Sequence, residues 1–301
     1  MNIAILSRGA GLYSTQSIFR AARRRGHYVR VIDHKRCHLV IEKGQPQIVY
    51  EGDRLIGMDA VIPRIGASVT DYGAAVIRQF ELMNVYTATR SEALIIARDK
   101  LKCLQKLSAS GIAVPKTFIA GTPEDVPFLI DRLSGTPVVI KLLESTHGVG
   151  VILANSRETA ISVVESFFAM RKQVILQEYI EEAKGADIRA FVVGKKVVAT
   201  MKRQARQGEF RSNLHRGASS SIENLSGEEN EIVLHAAKLM GLGIAGVDLL
   251  RSNKGPLVME VNASPGLEGI ETTTGIDIGG AIIKNVEKGI RHFSHPSKKQ
   301  I

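Results

Sequence analysis

Residues 246–263 read GVDLLRSNKGPLVMEVNA, and this stretch decides the fold of the second half of the chain. Its central Ser-Asn-Lys-Gly-Pro run is typical of a turn between two apolar runs, so the segment predicts a β-hairpin. A turn centred on Lys254 places Asp248 opposite Glu260, with their β-carbons about 5 Å apart. Asn262 lies two residues beyond Glu260 and therefore on the same face. Two carboxylates and one amide oxygen are thus predicted to converge on a buried sheet.

The converging oxygens predict a metal site formed by Asp248, Glu260 and Asn262. Facing carboxylates repel each other, and an unpaired buried carboxylate is strongly unfavourable. A hard divalent cation would remove the repulsion, and a ligand set without His or Cys indicates Mg²⁺ or Mn²⁺. Two alternatives stay open, namely a protonated carboxyl group or pairing with an arginine. All three depend on the register, because a shift of one residue turns the side chains to the other face.

Composition and charge narrow the class of protein. The 301 residues are 44% hydrophobic and 23% charged, which is typical of a globular enzyme, and no apolar run approaches the ~20 residues of a membrane span. Cys37 and Cys103 lack metal-binding spacing, so we expect neither a disulfide nor structural zinc, and we expect a cytoplasmic location. The net charge of +10 favours anionic partners, whereas the absence of Trp and the low aromatic content argue against direct nucleic-acid readout.

The order of apolar runs predicts an α/β protein with two units. Strands alternate with helices in the first part of the chain, which indicates a small parallel sheet. Residues 92–109 read as one periodic helix. We place an N-terminal domain at residues 1–98 and a second domain at 99–301. The second domain divides into a central lobe, 99–180, and a C-terminal lobe, 181–301.

A nucleotide site is predicted beside the metal site, although the chain lacks the P-loop pattern GxxxxGK[ST]. In VVIKLLESTHGVGV, Lys141 ends a strand, and Gly148 and Gly150 allow backbone N–H groups to approach phosphate oxygens. Glu178 and Tyr179 end a later strand, where an acid and backbone groups could hold adenine and ribose. Polar residues that follow in order are Asp187, Arg189, Arg211, Asn213 and Arg216.

Taken in sequence, these pieces resemble the ATP-grasp superfamily. Within it, RDKL, QEYI, DIR, FRSNLHRGA and MEVNASPGLEGIE resemble the RimK-type α-L-glutamate ligases, and MNIAILSR and IPRIG extend the likeness over the whole chain. The resemblance implies an ATP-grasp fold that follows a small parallel-sheet α/β (pre-ATP-grasp) domain. It also implies metal ligation by the three hairpin residues. The ATP contacts that it implies are Lys100, Lys141, Glu178, Tyr179, Asp187, Arg211, Ser212 and Asn213.

The resemblance further implies addition of L-glutamate to the C-terminal glutamate of a small-subunit ribosomal protein. ATP and two Mg²⁺ or Mn²⁺ ions would serve the reaction, and a homo-oligomer is implied. Arg211 is the candidate for stabilising negative charge during transfer, with holding its loop as the alternative. Arg64, Arg189 and Arg216 are candidate substrate residues, and a structural salt bridge is the alternative for Arg64.

Three other functions fit parts of the pattern. A ligase of the same chemistry could act on a small metabolite, because acceptor choice lies in loops. A basic, non-catalytic protein could bind the ribosome or RNA, with salt-sensitive affinity and no ATPase activity. A phosphotransferase would stop after phosphoryl transfer, so glutamate-dependent release of phosphate separates it from a ligase.

Overall fold

The computed structural model describes residues 1–143 and 150–293, which form four β-sheets flanked by helices. Gly148 lies outside these residues. Within the described ranges, no helix combines the length and apolar character needed to cross a bilayer.

The chain begins with the predicted parallel sheet. Its strand order is β2-β1-β6-β7, and every neighbouring pair is parallel. The central strands are apolar on both faces because helices cover them, as expected for a parallel sheet. A small antiparallel sheet, β3-β4-β5, is inserted between β2 and β6 and was not predicted. The elements are β1 (Asn2–Leu6), α1 (Tyr13–Arg24), β2 (Tyr28–Ile32), β3 (Cys37–Val40), β4 (Gln47–Tyr50), β5 (Asp53–Arg54), β6 (Ala60–Pro63), α2 (Thr70–Leu82) and β7 (Tyr86–Thr87).

The single helix predicted at residues 92–109 is wrong, because two helices meet there. They are α3 (Ser91–Arg98) and α4 (Lys100–Ala109). Asp99 between them is extended, with φ −80° and ψ 101°, and its carboxylate accepts the Lys102 N–H at 3.0 Å as the N-cap of α4. Both helices carry an apolar stripe, so periodicity alone did not reveal the break. The junction places Arg98 and Lys100 side by side near the candidate site.

The next unit is an antiparallel sheet that carries Lys141. Its strand order is β10-β9-β11-β8, and two helices cover one face with the buried residues around Val126, Val164 and Leu176. The Ser156 hydroxyl caps the second helix by accepting the Thr159 N–H at 3.2 Å. The elements are β8 (Thr117–Ile119), α5 (Val126–Arg132), β9 (Val138–Leu142), β10 (Val151–Ala154), α6 (Arg157–Ala169) and β11 (Val174–Glu178).

A five-stranded antiparallel sheet carries the acidic residues. Its order is β14-β13-β12-β15-β16, so the predicted hairpin forms one end of the sheet. Helix α8 was not predicted. The elements are β12 (Ala186–Val193), β13 (Lys196–Gln204), β14 (Ser219–Ile222), α7 (Gly227–Leu239), β15 (Ile244–Ser252), β16 (Gly255–Asn262), α8 (Glu268–Thr274) and α9 (Ile278–Phe293).

The parallel sheet and the five-stranded sheet share one apolar core. Ile5 and Ile18 from the first belong to the same buried cluster as Phe191 and Ile282 from the second. Helix α1 packs against α9 along this contact. Burial of this kind contributes about 25 cal/mol per Å² of apolar surface, so the shared core holds the carboxyl edge of the parallel sheet beside the acidic hairpin.

Candidate nucleotide and metal site

The β15–β16 hairpin places Asp248 directly opposite Glu260, as predicted, but by a different route. Ser252 pairs with Gly255 across the turn, and a regular ladder from that pair would set Asp248 opposite Met259. A β-bulge after Asp248 takes up one residue of β16, so Glu260 moves into the opposing position. The acidic face of this sheet therefore depends on an irregularity that the sequence pattern did not reveal.

The Asp248 carboxylate is bound by two arginines, so the arginine alternative describes this residue in the free protein. Arg189, its partner on β12, donates from Nε to Oδ1 at 2.7 Å and from Nη2 to Oδ2 at 2.5 Å. Arg203 donates from Nη2 to Oδ2 at 2.9 Å. Burial opposes ionisation of Asp248, but the two guanidinium groups hold its pKa below the usual range.

Arg203 also binds Asp187, which was predicted as an ATP contact. The two residues pair across β12 and β13, with Nε to Oδ1 at 2.6 Å and Nη2 to Oδ2 at 2.5 Å. The Ser212 hydroxyl donates to the same carboxylate at 2.7 Å. Burial and the charge of Asp248 raise the pKa of Asp187, although Arg203 acts in the opposite direction. We call Asp187, Arg189, Arg203 and Asp248 the sheet ion network.

Arg203 is not among the residues predicted from the sequence. The signal that could have found it is the β12–β13 hairpin, whose turn at Gly194 brings the end of β13 opposite the start of β12. A buried aspartate in one strand then needs a cation in the other. Only the shared contacts of Arg203 show that one side chain serves both aspartates.

Glu260 differs from Asp248 in having no close guanidinium partner. Within residues 1–143 and 150–293, its nearest arginine nitrogen is Nη2 of Arg189 at 3.8 Å, and its side chain is 43% exposed. The Asn262 amide donates to Oε1 at 2.9 Å. Removal from water and the charge of Asp248 raise the pKa of Glu260. Glu260 is therefore the carboxylate that an added cation would stabilise most.

The oxygen atoms on this face fit a hard divalent cation. Glu260 is 43% exposed, and the Asn262 amide bonds to it through nitrogen, so the Asn262 carbonyl oxygen is a further possible ligand. Oδ1 of Asp248 accepts one hydrogen bond and keeps a second lone pair. The described residues contain no cluster of three or more His, Cys, Asp or Glu side chains arranged for a metal. The candidate set is thus two carboxylates and an amide, which suits Mg²⁺ better than a soft metal.

Lys141 stands across from this acidic face. Its Nζ donates to Oε1 of Gln177 at 2.6 Å, and Gln177 in turn donates to Thr117 at 2.7 Å. Burial lowers the pKa of Lys141 to about 8, with Glu260 acting against the shift and Lys100 adding to it. Lys141 is half-buried, and its hydrogen-bond partner among the described residues is a neutral amide, so its ammonium group can bind an incoming phosphate as a point charge.

Lys100 is the second cation on this side. Its Nζ donates to the carbonyl oxygens of Leu142 at 2.9 Å and Leu143 at 3.1 Å. Burial lowers the pKa of Lys100 as well, and Glu260 opposes the shift. The charge of Glu260 therefore acts on both lysines. The structure thus brings the lysines predicted to bind phosphate close to the carboxylate predicted to bind metal.

Gly150 closes the strand pair that carries Lys141. Its φ is +66°, and a β-carbon would lie 2.4 Å from Cδ1 of Leu142. The Leu142 N–H donates to the Gly150 carbonyl at 2.9 Å. Glycine is thus required here both by conformation and by space.

Two predicted adenine-side residues lie at the end of β11. Oε1 of Glu178 accepts the Lys116 N–H at 2.6 Å, and the Glu178 N–H donates to the Lys116 carbonyl at 2.9 Å. Tyr179 follows and is half-buried. Glu178 therefore fixes the edge of this sheet, and its role toward adenine stays a prediction.

Arg211 connects its loop to β10. It donates to Oε1 of Glu209 at 2.9 Å and to Oε2 at 2.7 Å, and its Nη1 donates to the Val151 carbonyl at 3.3 Å. Hydrogen bonds from Arg211 lower the pKa of Glu209 to about 2, although burial acts the other way. The loop-holding role is thus present in the free protein. Asn213 precedes a short helical turn, Leu214–Arg216, and Arg216 is exposed.

Arg64 is placed beside the loop that follows β16. Its Nη2 donates to the Pro265 carbonyl at 2.6 Å. The salt bridge considered for Arg64 is not found among the described residues. Burial lowers the pKa of Arg64 to about 10, and the charge of Arg98 adds to the shift.

Known proteins match this chain over nearly its full length. The family model of the RimK-like ATP-grasp domain matches residues 97–286, and that of the RimK pre-ATP-grasp domain matches residues 1–94. Proteins named probable alpha-L-glutamate ligase from Vibrio cholerae and Ectopseudomonas mendocina are each 57% identical over 288 residues, which is 96% of either chain.

Solved structures agree on the fold. The ATP-grasp ligase PsnB complexed with a minimal precursor has a TM-score of 0.76 at 20% identity and covers 96% of this chain and 98% of its own. The D-alanine-D-alanine ligase from Coxiella burnetii has a TM-score of 0.71 at 16% identity, covering 98% of this chain and 96% of its own. The chain therefore belongs to the RimK-like ATP-grasp family of ATP-dependent ligases, which confirms the fold class and enzyme class predicted from its motifs.

Proposed function

We propose that the chain joins the α-amine of L-glutamate to the C-terminal glutamate of a small-subunit ribosomal protein at the expense of ATP. The observation that carries the proposal is the meeting of two half-buried lysines, Lys100 and Lys141, with the acidic hairpin, where Glu260 affects the pKa of both. The names of the relatives support glutamate as a substrate. Similar folds solved with precursor peptides support a peptide acceptor.

The proposed chemistry has two steps. A carboxylate oxygen of the acceptor attacks the γ-phosphorus of ATP, and the bond between this phosphorus and the β-phosphate oxygen breaks. ADP departs, and the acceptor becomes an acyl phosphate. The glutamate amine then attacks the acyl carbon, phosphate departs with the former carboxylate oxygen, and the amine loses a proton. Such transfers need positioning and charge neutralisation more than a covalent nucleophile.

Residues of this chain would supply those needs. Lys100 and Lys141 neutralise phosphate charge from one side. Arg211 already reaches across to β10, so it could follow the transferring group with little rearrangement. Asp248, Glu260 and Asn262 would hold the divalent cations, which supply additional positive charge at the phosphates. The count of two ions and the use of Mn²⁺ remain part of this proposal.

The test combines product mass spectrometry with an ADP assay. Purified protein, ATP, Mg²⁺ and L-glutamate are mixed with the ribosomal protein, with the same protein lacking its last residues, or with neither. We expect mass steps of one glutamate residue, matched by ADP, only with the intact C-terminus. Mass steps on the truncated protein, or no ADP in any mixture, would contradict the proposal.

A metabolite acceptor is the second candidate, and the same experiment separates it. Glutamate-dependent ADP without a mass step on the ribosomal protein would move the acceptor to a small molecule. ADP without any need for glutamate would favour a phosphotransferase. The domain limits at residues 98 and 180, the homo-oligomer and the cytoplasmic location stay predictions.

A further inference from the structure

Arg64 and Arg98, which we call the arginine pair, lie together, and neither forms an ion pair with a carboxylate in the part of the chain that the structure describes. Nη2 of Arg98 donates to the Ile65 carbonyl at 2.7 Å, and Nη2 of Arg64 donates to the Pro265 carbonyl at 2.6 Å. No ion pair of either guanidinium occurs among residues 1–143 and 150–293. Within those ranges, the hydrogen-bond acceptors of the two cations are thus neutral carbonyl groups.

This arrangement is unfavourable in the free protein. Burial lowers the pKa of both arginines, and the charge of Arg98 lowers that of Arg64 further. Nε of Arg98 is also inaccessible and has no acceptor in the described part of the chain. Native proteins rarely leave a buried donor unsatisfied, since each costs about 1–3 kcal/mol.

A second unsatisfied group lies in the loop that receives Arg64. Oγ of Ser264 is buried and has no hydrogen-bond partner among the residues described. Ser264 immediately precedes Pro265, whose carbonyl binds Arg64, and follows Asn262 by two positions. Among the described residues, Nε of Arg98 and Oγ of Ser264 are therefore both donors without an acceptor. Arg64 lies between them, because its charge interacts with that of Arg98 and its Nη2 binds the carbonyl of Pro265, next to Ser264.

The location is next to the proposed reaction centre. Gly246 lies under Pro265, because a β-carbon there would stand 2.8 Å from Cβ of Pro265 and 3.7 Å from Nε of Arg189. Arg98 is close enough to Glu260 for the two charges to interact. Arg64 follows β6, and the crevice outside the carboxyl ends of parallel strands is where α/β sheets bind ligands.

We propose that Arg64, Arg98 and Ser264 form a binding site for a carboxylate of the glutamate unit that does not react. The inference rests on the proposed function and names the substrate group that this edge recognises. A carboxylate fits this site because a guanidinium group can donate two parallel hydrogen bonds to its two oxygens, and a serine hydroxyl can donate a further one. In the proposed function, Lys100 and Lys141 bind the phosphates, so the arginine pair is available for a carboxylate. The carboxylate belongs either to free glutamate or to the terminal glutamate of the acceptor.

Ser264→Ala gives a sharp test, because the hydroxyl makes no hydrogen bond to any residue that the structure describes. The substitution is expected to leave the melting temperature unchanged or raise it, while it raises the KM of one carboxylate substrate about tenfold. A purely structural hydroxyl would instead show the opposite result, with lost stability and unchanged KM values. That result would overturn the proposal.

Arg98→Gln and Arg64→Gln test the charges. We expect the KM of one carboxylate substrate to rise about 10- to 150-fold, with the KM of ATP within about twofold of the parent value. The exposed Arg90→Gln, at the residue that precedes the helix carrying Arg98, is the control and should change neither constant. Equal increases for ATP and the carboxylate substrates would indicate a structural role and contradict the proposal.

Substrate analogues identify the source of the carboxylate. L-glutamate is compared with L-glutamine, and a synthetic peptide ending in Glu-Glu with one ending in Glu-Gln. The parent protein should prefer the carboxylate form of one pair, and Arg98→Gln should remove that preference. Loss of preference for free glutamate assigns the donor, and loss for the peptide assigns the acceptor. Undiminished preference in both pairs overturns the site.

Calorimetric titration of L-glutamate and of the peptide into the protein with ADP and Mg²⁺ separates this inference from the proposed function. Binding that weakens in Arg98→Gln would support the site even if no ligated product forms. Normal ligation with unchanged binding in Ser264→Ala and both arginine variants would keep the function and remove the site.

Discussion

Two groups of ion pairs in this protein have similar contact distances but differ in how far their side chains are exposed to solvent. The sheet ion network joins Arg189 and Arg203 to two aspartates whose side chains are at most 2% exposed. At the contact between α1 and α9, Arg24 pairs with Asp277, and Arg25 and His27 pair with Glu287. The two arginine side chains are 61% and 38% exposed, whereas those of His27 and Glu287 are 10% and 13% exposed. Both contain bidentate or paired contacts below 3.1 Å.

The difference shows how burial changes the energetic contribution of an ion pair. Exposed pairs are screened by water and contribute little to stability. Buried charges lose their hydration, and their attraction compensates only while every partner is present. The sheet ion network therefore fixes the position of Asp248 beside Glu260, and it does so at the cost of dehydrating its charges. A surface contact does not incur this cost.

Arg203→Met should have the largest effect, because it leaves two buried aspartates short of one cation. We expect the free energy of unfolding to fall by about 3–5 kcal/mol in equilibrium urea titrations. Arg251→Met is the matched control, since Arg251 also binds two glutamates but has a side chain 49% exposed. Equal losses in the two variants would show that burial does not distinguish the networks.

Glu260→Gln should act on activity rather than stability. It keeps the shape of the side chain while it removes the carboxylate that lacks a close guanidinium, so kcat/KM for glutamate-dependent ADP formation should fall about 100- to 1000-fold. The unfolding midpoint should stay or rise, because repulsion with Asp248 disappears. The exposed Glu228→Gln serves as control. Turnover restored by excess Mg²⁺ would contradict the metal assignment.

Lys141 should give the protein a pH dependence. Its pKa of about 8 lies below the ordinary 10.5, so its charge is lost as pH rises through 8, and kcat/KM for ATP should fall about tenfold per unit above that. Between pH 8 and pH 10.5, Lys141 is protonated more in the unfolded chain than in the folded protein, so the free energy of unfolding of the free protein should rise with pH in this range. Lys141→Arg should abolish the bend in the pH–rate profile, and a bend that persists would assign it to another group.

Glu287→Gln should have the smallest effect. Arg25 lowers the pKa of Glu287 to about 2, so the contact stabilises the fold above the ordinary pKa near 4.5 and is lost as pH falls toward 2. We expect the melting temperature at pH 7 to drop by no more than about 2–4 °C, with kcat and KM unchanged. A loss comparable to that of Arg203→Met would remove the distinction between the two networks.

The sequence predicted the parallel sheet, the hairpin and the facing pair of Asp248 and Glu260, because apolar periodicity and turn residues are local signals. It did not predict the break at Asp99, since a stripe of apolar residues continues through both helices. The small sheet from Cys37 to Arg54 was also not predicted, because its strands are short and show little alternation of apolar and polar residues.

Among the site residues, the sequence named the amino acids but not their partners. Lys141 was expected at a phosphate, and its bond to Gln177 appears only when β9 and β11 pair. Arg64 was expected at a substrate or in a salt bridge, and neither Arg98 nor Ser264 was predicted beside it. Partners from distant segments leave no local pattern.

The sequence by itself determined the family, the two sheet types and the identity of the acids and lysines, because each depends on short-range periodicity or an ordered set of motifs. Tertiary structure alone decided which charges are paired. Strand register and packing make Arg203 a shared partner of two aspartates and bring Glu260 opposite Asp248 through a bulge. Packing also leaves Arg64 and Arg98 without an ion pair among the described residues. Electrostatic energy depends on distance and burial, and neither is written in the order of residues.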